Sequence, residues 1–157
     1  MPRILFVCQA NRFRSPLAMA YWRKLAREAG EEEMWEVESA GVAAVAGLPP
    51  FPLAVEVARA WGVDLTGHRS RRVRAAHVYR ADRVLVMAQS QRDVLLVRYP
   101  WAREKVVLLT QAAGEVPEDL PDITGDERED RRLAYTLAEL LDKVWQRWAQ
   151  GEAGRNP

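Results

Sequence analysis

The chain has one cysteine in 157 residues, which excludes an internal disulfide framework and any cysteine-rich zinc site. It has no run near the roughly 18 apolar residues that a membrane-spanning helix needs. Neither charge is in excess: 23 Lys and Arg stand against 22 Asp and Glu, a net charge of +1, where a nucleic-acid binder would show a basic surplus. Lysine is scarce, since 20 of the basic residues are Arg; GC-rich coding and Arg-rich ion-pair networks give the same count. No repeat, low-complexity tract or linker stands out. The opening MPRILFVCQANR is a short apolar stretch broken at once by polar residues, unlike a signal peptide or an anchor. A cytoplasmic protein is expected, with neither nucleic acid nor membrane as partner.

What is present is enough for a core, with 48% of residues hydrophobic and six Trp. Residues 1–150 are expected to form a single domain and 151–157 a frayed tail. Arg3 to Val7 is a continuous apolar run that reads as a buried parallel strand. Further strands are expected over Trp35 to Ala40, Arg83 to Met87 and Lys105 to Leu109. Helices are expected from Ser15-Pro16 to Gly30, over Leu53 to Trp61, from about Gln91 to Arg98, and from Glu127 to Ala149. Ser15 suits the first helix as its N-cap, with Pro16 following. The last helix carries Leu133, Leu137, Leu140, Leu141, Val144 and Trp148 on one stripe. Strands alternating with helices predict a three-layer α/β/α fold around a four-stranded parallel sheet. Ligands of such sheets sit beyond the carboxyl ends of the strands. That rule brings Cys8 to Arg14, the segment after Met87 and the loop around Asp122 to one rim.

Between the first strand and first helix stands Cys8-Gln9-Ala10-Asn11-Arg12-Phe13-Arg14-Ser15-Pro16. A tight loop here turns backbone N–H groups inward as an anion nest, reinforced by the positive end of the helix dipole. Such a field favours a thiolate over a thiol. The same amides, from Gln9 through Ser15, suit three phosphate oxygens, with Arg14 as a bidentate clamp. Ser15 is placed to donate a hydrogen bond to the sulfur. A lone Cys after a buried strand is ordinarily inert core; the motif around Cys8 argues otherwise.

The Cys-x5-Arg-Ser sequence after an apolar strand resembles the phosphate loop of low-molecular-weight protein tyrosine phosphatases. Ser39-Ala40-Gly41, His68-Arg69-Ser70-Arg71, Val86-Met87, Asp119-Leu120-Pro121-Asp122 and Gly125 follow in that family's order at similar spacing. The resemblance implies a phosphomonoester hydrolase, by family default a protein tyrosine phosphatase, that needs no metal or cofactor. In it Cys8 attacks phosphorus and holds a phosphocysteine intermediate, and Arg14 binds the phosphoryl oxygens. Asp122 protonates the leaving oxygen and then serves the hydrolytic water as base. Asn11, Ser15, Ser39 and His68 hold the loop. The implied partners are a phosphorylated protein or a small phosphomonoester, with inorganic phosphate as product. Asp119 and Asp126 remain open as alternative acids, and the Arg69–Arg74 run reads as a solvated basic face. Trp145 and Trp148 read as core or as a dimer contact.

The sequence departs from the family pattern at several places. Ala10 replaces a Gly, which would cost energy if that position needs a positive φ. Phe13 replaces the neighbouring Cys that in relatives traps an oxidised nucleophile as a disulfide. The family's Asp-Pro and aromatics become Asp122-Ile123-Thr124-Gly125, and no aromatic lies near Val45, leaving Phe51 or Phe13 as ring surfaces. Arg12 puts a cation in the loop, which suits an acidic neighbour better than a phosphoarginine. Two other readings are an arsenate reductase dependent on an external thiol and a non-catalytic phosphate- or phosphoprotein-binding module.

Overall fold

Alternate residues of the first strand face opposite ways, and this sets the layers. The structure, a computed structural model, describes residues 1–149; the expected tail 151–157 lies outside them. Strand β1 (Arg3–Cys8) is flanked by β2 (Glu36–Gly41) and β3 (Arg83–Val86), with β4 (Val106–Leu108) beyond β3. All pairings are parallel. Ile4, Phe6 and Cys8 point to one face, and Leu5 and Val7 to the other.

Helices α1 (Arg14–Glu28) and α2 (Pro52–Ala60) cover the first face. Short α3 (Ala75–Arg80) and α4 (Gln89–Arg98) cover the second. The first face is completed by α5 (Leu109–Ala112) and α6 (Glu127–Ala149), whose six expected stripe residues are all buried. Trp22 meets Trp145 and Trp148 at centroid distances of 5.0 and 5.3 Å, so the tryptophan pair of α6 belongs to the core. Burying side chains of this size stabilises the fold by about 1.5–3 kcal/mol each.

The strand order β2-β1-β3-β4 reverses direction at β1, because the chain leaves it first toward β2 and later toward β3. Such a reversal opens a crevice at the carboxyl end of β1, and Cys8 is its last residue. The α/β/α expectation holds, with three local corrections. Helix α1 starts at Arg14 with Phe13 before it and no side-chain cap, so Ser15 is not the N-cap. The chain turns helical at Leu109, because the apolar run that reads as one strand is divided between β4 and α5. Helix α3 is too short to show an apolar period.

Candidate active site

The loop leaving β1 contains the chain's one strained non-glycine residue among those described, Asn11, at φ 60°. Asn tolerates this region better than most residues. Ala10 lies outside the positive-φ region, so its replacement of Gly carries no such backbone cost.

Asn11 is fully buried, and every polar group it has is engaged. Its Oδ1 accepts from the Arg71 backbone N–H at 3.0 Å, which orients the amide, since that N–H can only donate. Nδ2 therefore donates to Ser15 Oγ at 2.8 Å and to Ser39 Oγ at 3.0 Å. Its carbonyl lies 2.9 Å from His68 Nε2, which must carry a proton to bond it. Ser15 Oγ, already accepting from Asn11, keeps its own hydrogen for Cys8 Sγ at 2.9 Å, a shorter contact than the 3.5 Å to the Ala40 carbonyl. The Asn11 backbone N–H adds a second bond to the sulfur at 3.3 Å. Serine thus serves the sulfur rather than the helix end, which is why the N-cap expectation fails.

The backbone amides of Gln9, Ala10, Arg12 and Phe13 find no acceptor among the described residues. With the start of α1 beside them, they are unused donors of the kind an anion takes up. Gly41 makes room for this loop: a Cβ there would meet the Gln9 carbonyl at 2.5 Å and the Asn11 nitrogen at 3.0 Å. Bonds from Val42 and Ala43 to the Cys8 and Gln9 carbonyls, both 3.0 Å, fix the loop to the strand β2 side.

Arg14 is 4% exposed. It donates to the Leu120 carbonyl at 3.0 Å and meets Asp122 Oδ2 at 3.4 Å. Asp122 is largely open to solvent, its side chain 60% exposed. Its Oδ1 accepts from the Ile123 backbone N–H at 2.8 Å, and the rival acids bond elsewhere. Asp119 accepts from the Gln89 backbone N–H that begins α4, and Asp126 accepts from Glu129 in the first turn of α6. Buried Asp130 accepts from the Thr124 and Gly125 amides and so shapes the Asp122 loop. Of the three candidates, Asp122 alone faces the guanidinium.

At the rim, Arg12 Nε donates to the Pro49 carbonyl at 2.8 Å, and its guanidinium lies 4.1 Å from the centroid of the Phe51 ring. Phe13 is buried in the core and offers no ring to a ligand. The Arg69–Arg74 run is not simply a solvated face. Arg71 pairs with Glu38, donates to the Ser39 carbonyl, and holds Asn11 through its backbone. Sequence reasoning missed the support roles of Arg71, Gly41 and the Leu120 carbonyl. All three stand in the segments that follow the family's order, which is the signal that could have found them.

Three acid-sensitive groups surround this framework. Burial pushes His68 and His77 below the ordinary histidine value of 6.5, and His77 Nδ1 accepts from the Arg74 backbone N–H. The bond from Arg80, joined by Arg71, holds Glu38 at about 2, against 4.5 when free. The unfolded chain therefore takes up more protons than the folded one just below pH 6.5, and again between pH 4.5 and 2. Stability should fall in two steps on acidification. Urea unfolding as a function of pH checks this: His77→Gln should flatten the upper step and Glu38→Gln the lower.

Cys8 and its loop thus stand at the carboxyl edge of a parallel α/β sheet, with the buried Arg14 guanidinium of that segment meeting the exposed Asp122 carboxylate. A family model described as low molecular weight phosphotyrosine protein phosphatase matches residues 3–150. A protein-arginine-phosphatase of Geobacillus stearothermophilus is 34% identical over 143 residues, covering 90% of this chain and 93% of that protein. The low molecular weight protein-tyrosine-phosphatase Wzb of Escherichia coli K12 is 31% identical over 142 residues, covering 90% and 91%. Among solved structures, a low molecular weight protein tyrosine phosphatase from T. tengcongensis superposes with a TM-score of 0.86 at 33% identity, over 94% of this chain and 99% of that one. The chain belongs to the low molecular weight phosphotyrosine protein phosphatase family, whose members are cysteine-dependent phosphatases.

Cys8 is the one cysteine in the sequence, so an oxidised Cys8 has no thiol partner in the chain. Peroxide should then carry the sulfur to its irreversible acids. Dithiothreitol is expected to restore a minor share of the turnover lost to peroxide, and Phe13→Cys to raise that share. Full recovery of the unaltered protein would contradict this.

Proposed function

We propose that this phosphatase hydrolyses phosphotyrosine in proteins through Cys8. The sulfur lone pair attacks phosphorus in line, the P–S bond forms as the P–O bond breaks, and Asp122 gives its proton to the departing oxygen. Water then attacks phosphorus, Asp122 takes its proton, and the sulfur leaves as a thiolate steadied by Ser15 and the Asn11 amide. Arg14 and the loop amides match the three equatorial oxygens of the transition state. The observation that carries this reading is the directed chain of bonds from Arg71 through Asn11 and Ser15 to Cys8 Sγ. The relatives named above are phosphatases, which does not favour the thiol-dependent arsenate reductase. The backbone at Ala10 removes one ground for a non-catalytic module.

Arg12 bears on the choice of substrate. Its guanidinium, fixed over Phe51 beside the loop, repels the guanidinium group of a phosphoarginine and attracts an acidic residue next to phosphotyrosine. This favours phosphotyrosine in an acidic context, even though one of the more similar relatives is named an arginine phosphatase. The test compares kcat/KM for phosphotyrosine and phosphoarginine peptides with acidic and with neutral flanks. The acidic phosphotyrosine peptide should be turned over best, and Arg12→Ala should remove the benefit of its flanks. Preference for phosphoarginine would overturn the substrate assignment.

A further inference from the structure

Next to the residues that hold the Cys8 loop lies a cavity of about 420 Å³, bounded by α1, β2 and the segment 64–71. Its walls combine apolar Met19, Val37 and Leu65 with the guanidinium-bearing Arg23, Arg69 and Arg71 and the His68 ring. Both carboxylates on its lining are committed. Glu38 is held by Arg71 and Arg80, and Asp64 accepts from the Thr66 amide and hydroxyl. Arg23 and Arg69 bond only to carbonyls, those of Val37 and of Thr66 and His68, and neither has a carboxylate partner among the described residues. A bound carbonyl uses few of the five donors of a guanidinium, so donors remain for an anion. Partial desolvation pushes Arg23 below its ordinary value, with no opposing acid.

We propose that this cavity is a second binding site, for a small organic anion: a sulfonate, sulfate or phosphate group held by Arg23 and Arg69, on an apolar body resting against Met19, Val37 and Leu65. The volume falls in the range of small-molecule pockets. The site is joined to the phosphate loop, because Ser39, His68 and Arg71 line the cavity and each also bonds Asn11. An occupant would therefore press on the residues that hold the one strained residue of the loop.

The experiment uses 2-naphthalenesulfonate as the probe, with uncharged 2-naphthol as control, followed by NMR of the full chain with its catalytic loop saturated by vanadate. The sulfonate should shift the Arg23 and Arg69 Nε–H signals and the His68 ring, and then the Asn11 side-chain amide; 2-naphthol should not. Arg23→Gln and Arg69→Gln should each weaken binding by about tenfold, the effect of losing one hydrogen bond between charged groups. Both should keep the p-nitrophenyl phosphate turnover measured without probe. Affinity unchanged from the unaltered protein in both variants, equal binding of 2-naphthol, or shifts confined to residues 9–15 would overturn the proposal. If p-nitrophenyl phosphate were not hydrolysed at all, the catalytic reading would fall while the sulfonate shifts at Arg23 and Arg69 still judged this one.

Discussion

Cys8→Ser is expected to reduce hydrolysis of p-nitrophenyl phosphate to background while inorganic phosphate still binds. The hydroxyl keeps the hydrogen-bonding partners of the sulfur, so the loop should retain its shape; Ser15 Oγ and the Asn11 amide lie within reach of that position. What goes is the nucleophile, because a serine hydroxyl is not ionised at neutral pH, and the partners that the sulfur bonds among the described residues, Ser15 Oγ and the Asn11 N–H, are not bases. The amides of Gln9, Ala10, Arg12 and Phe13 and the Arg14 guanidinium are untouched. Calorimetric titration with phosphate beside the rate assay separates the two effects. Residual turnover within tenfold of the unaltered protein would remove Cys8 from the mechanism.

The second large effect concerns the leaving group. Asp122→Asn should lower kcat/KM for phenyl phosphate by about 10²–10⁴-fold, the usual worth of a positioned general acid. For p-nitrophenyl phosphate the loss should be much smaller, since nitrophenolate departs without a proton. The contrast belongs in kcat/KM, which reports the first chemical step; kcat also carries hydrolysis of the intermediate, where Asp122 acts as base whatever the leaving group was. Asp119→Asn and Asp126→Asn should affect both substrates equally and mildly, because these side chains bond helix-start amides. An equal loss across leaving groups in Asp122→Asn would pass the acid role to another residue.

Much of this was legible from the chain because it rests on patterns that physics forces. The apolar run of β1 must be buried on both faces, and a parallel sheet puts its ligands where such strands end. The α6 stripe shows over 23 residues, long enough for its period to be unmistakable. Cys8, Arg14, Ser15 and Asn11 stood close together in one loop, and the structure brings Ser39, His68 and Asp122 to them. What stayed hidden falls into two kinds. Backbone groups do the holding at Leu120 and Arg71, and a carbonyl or amide leaves no mark in the residue identity. The choice among Asp119, Asp122 and Asp126 depended on which carboxylate meets the Arg14 guanidinium, a property of tertiary contacts alone. The condition attached to Ala10 is not met: the loop takes its left-handed turn at Asn11, a residue type that accepts it, and three side-chain bonds hold it there. Ser15 misled because the same hydroxyl serves equally well as a helix cap or as a donor to sulfur, and only the neighbouring Asn11 amide decides between them.

Turnover through Cys8 requires phosphorus to pass through a bond to sulfur. The Asp122→Asn protein, mixed with p-nitrophenyl phosphate and unfolded in alkaline denaturant during turnover, should show a ³¹P signal in the region of a phosphorus–sulfur bond, because that leaving group departs without the acid while hydrolysis of the intermediate lacks its base. That signal should map to the peptide containing Cys8. Continued turnover with phosphorus seen only as free phosphate, or bonded to any other residue, would contradict it.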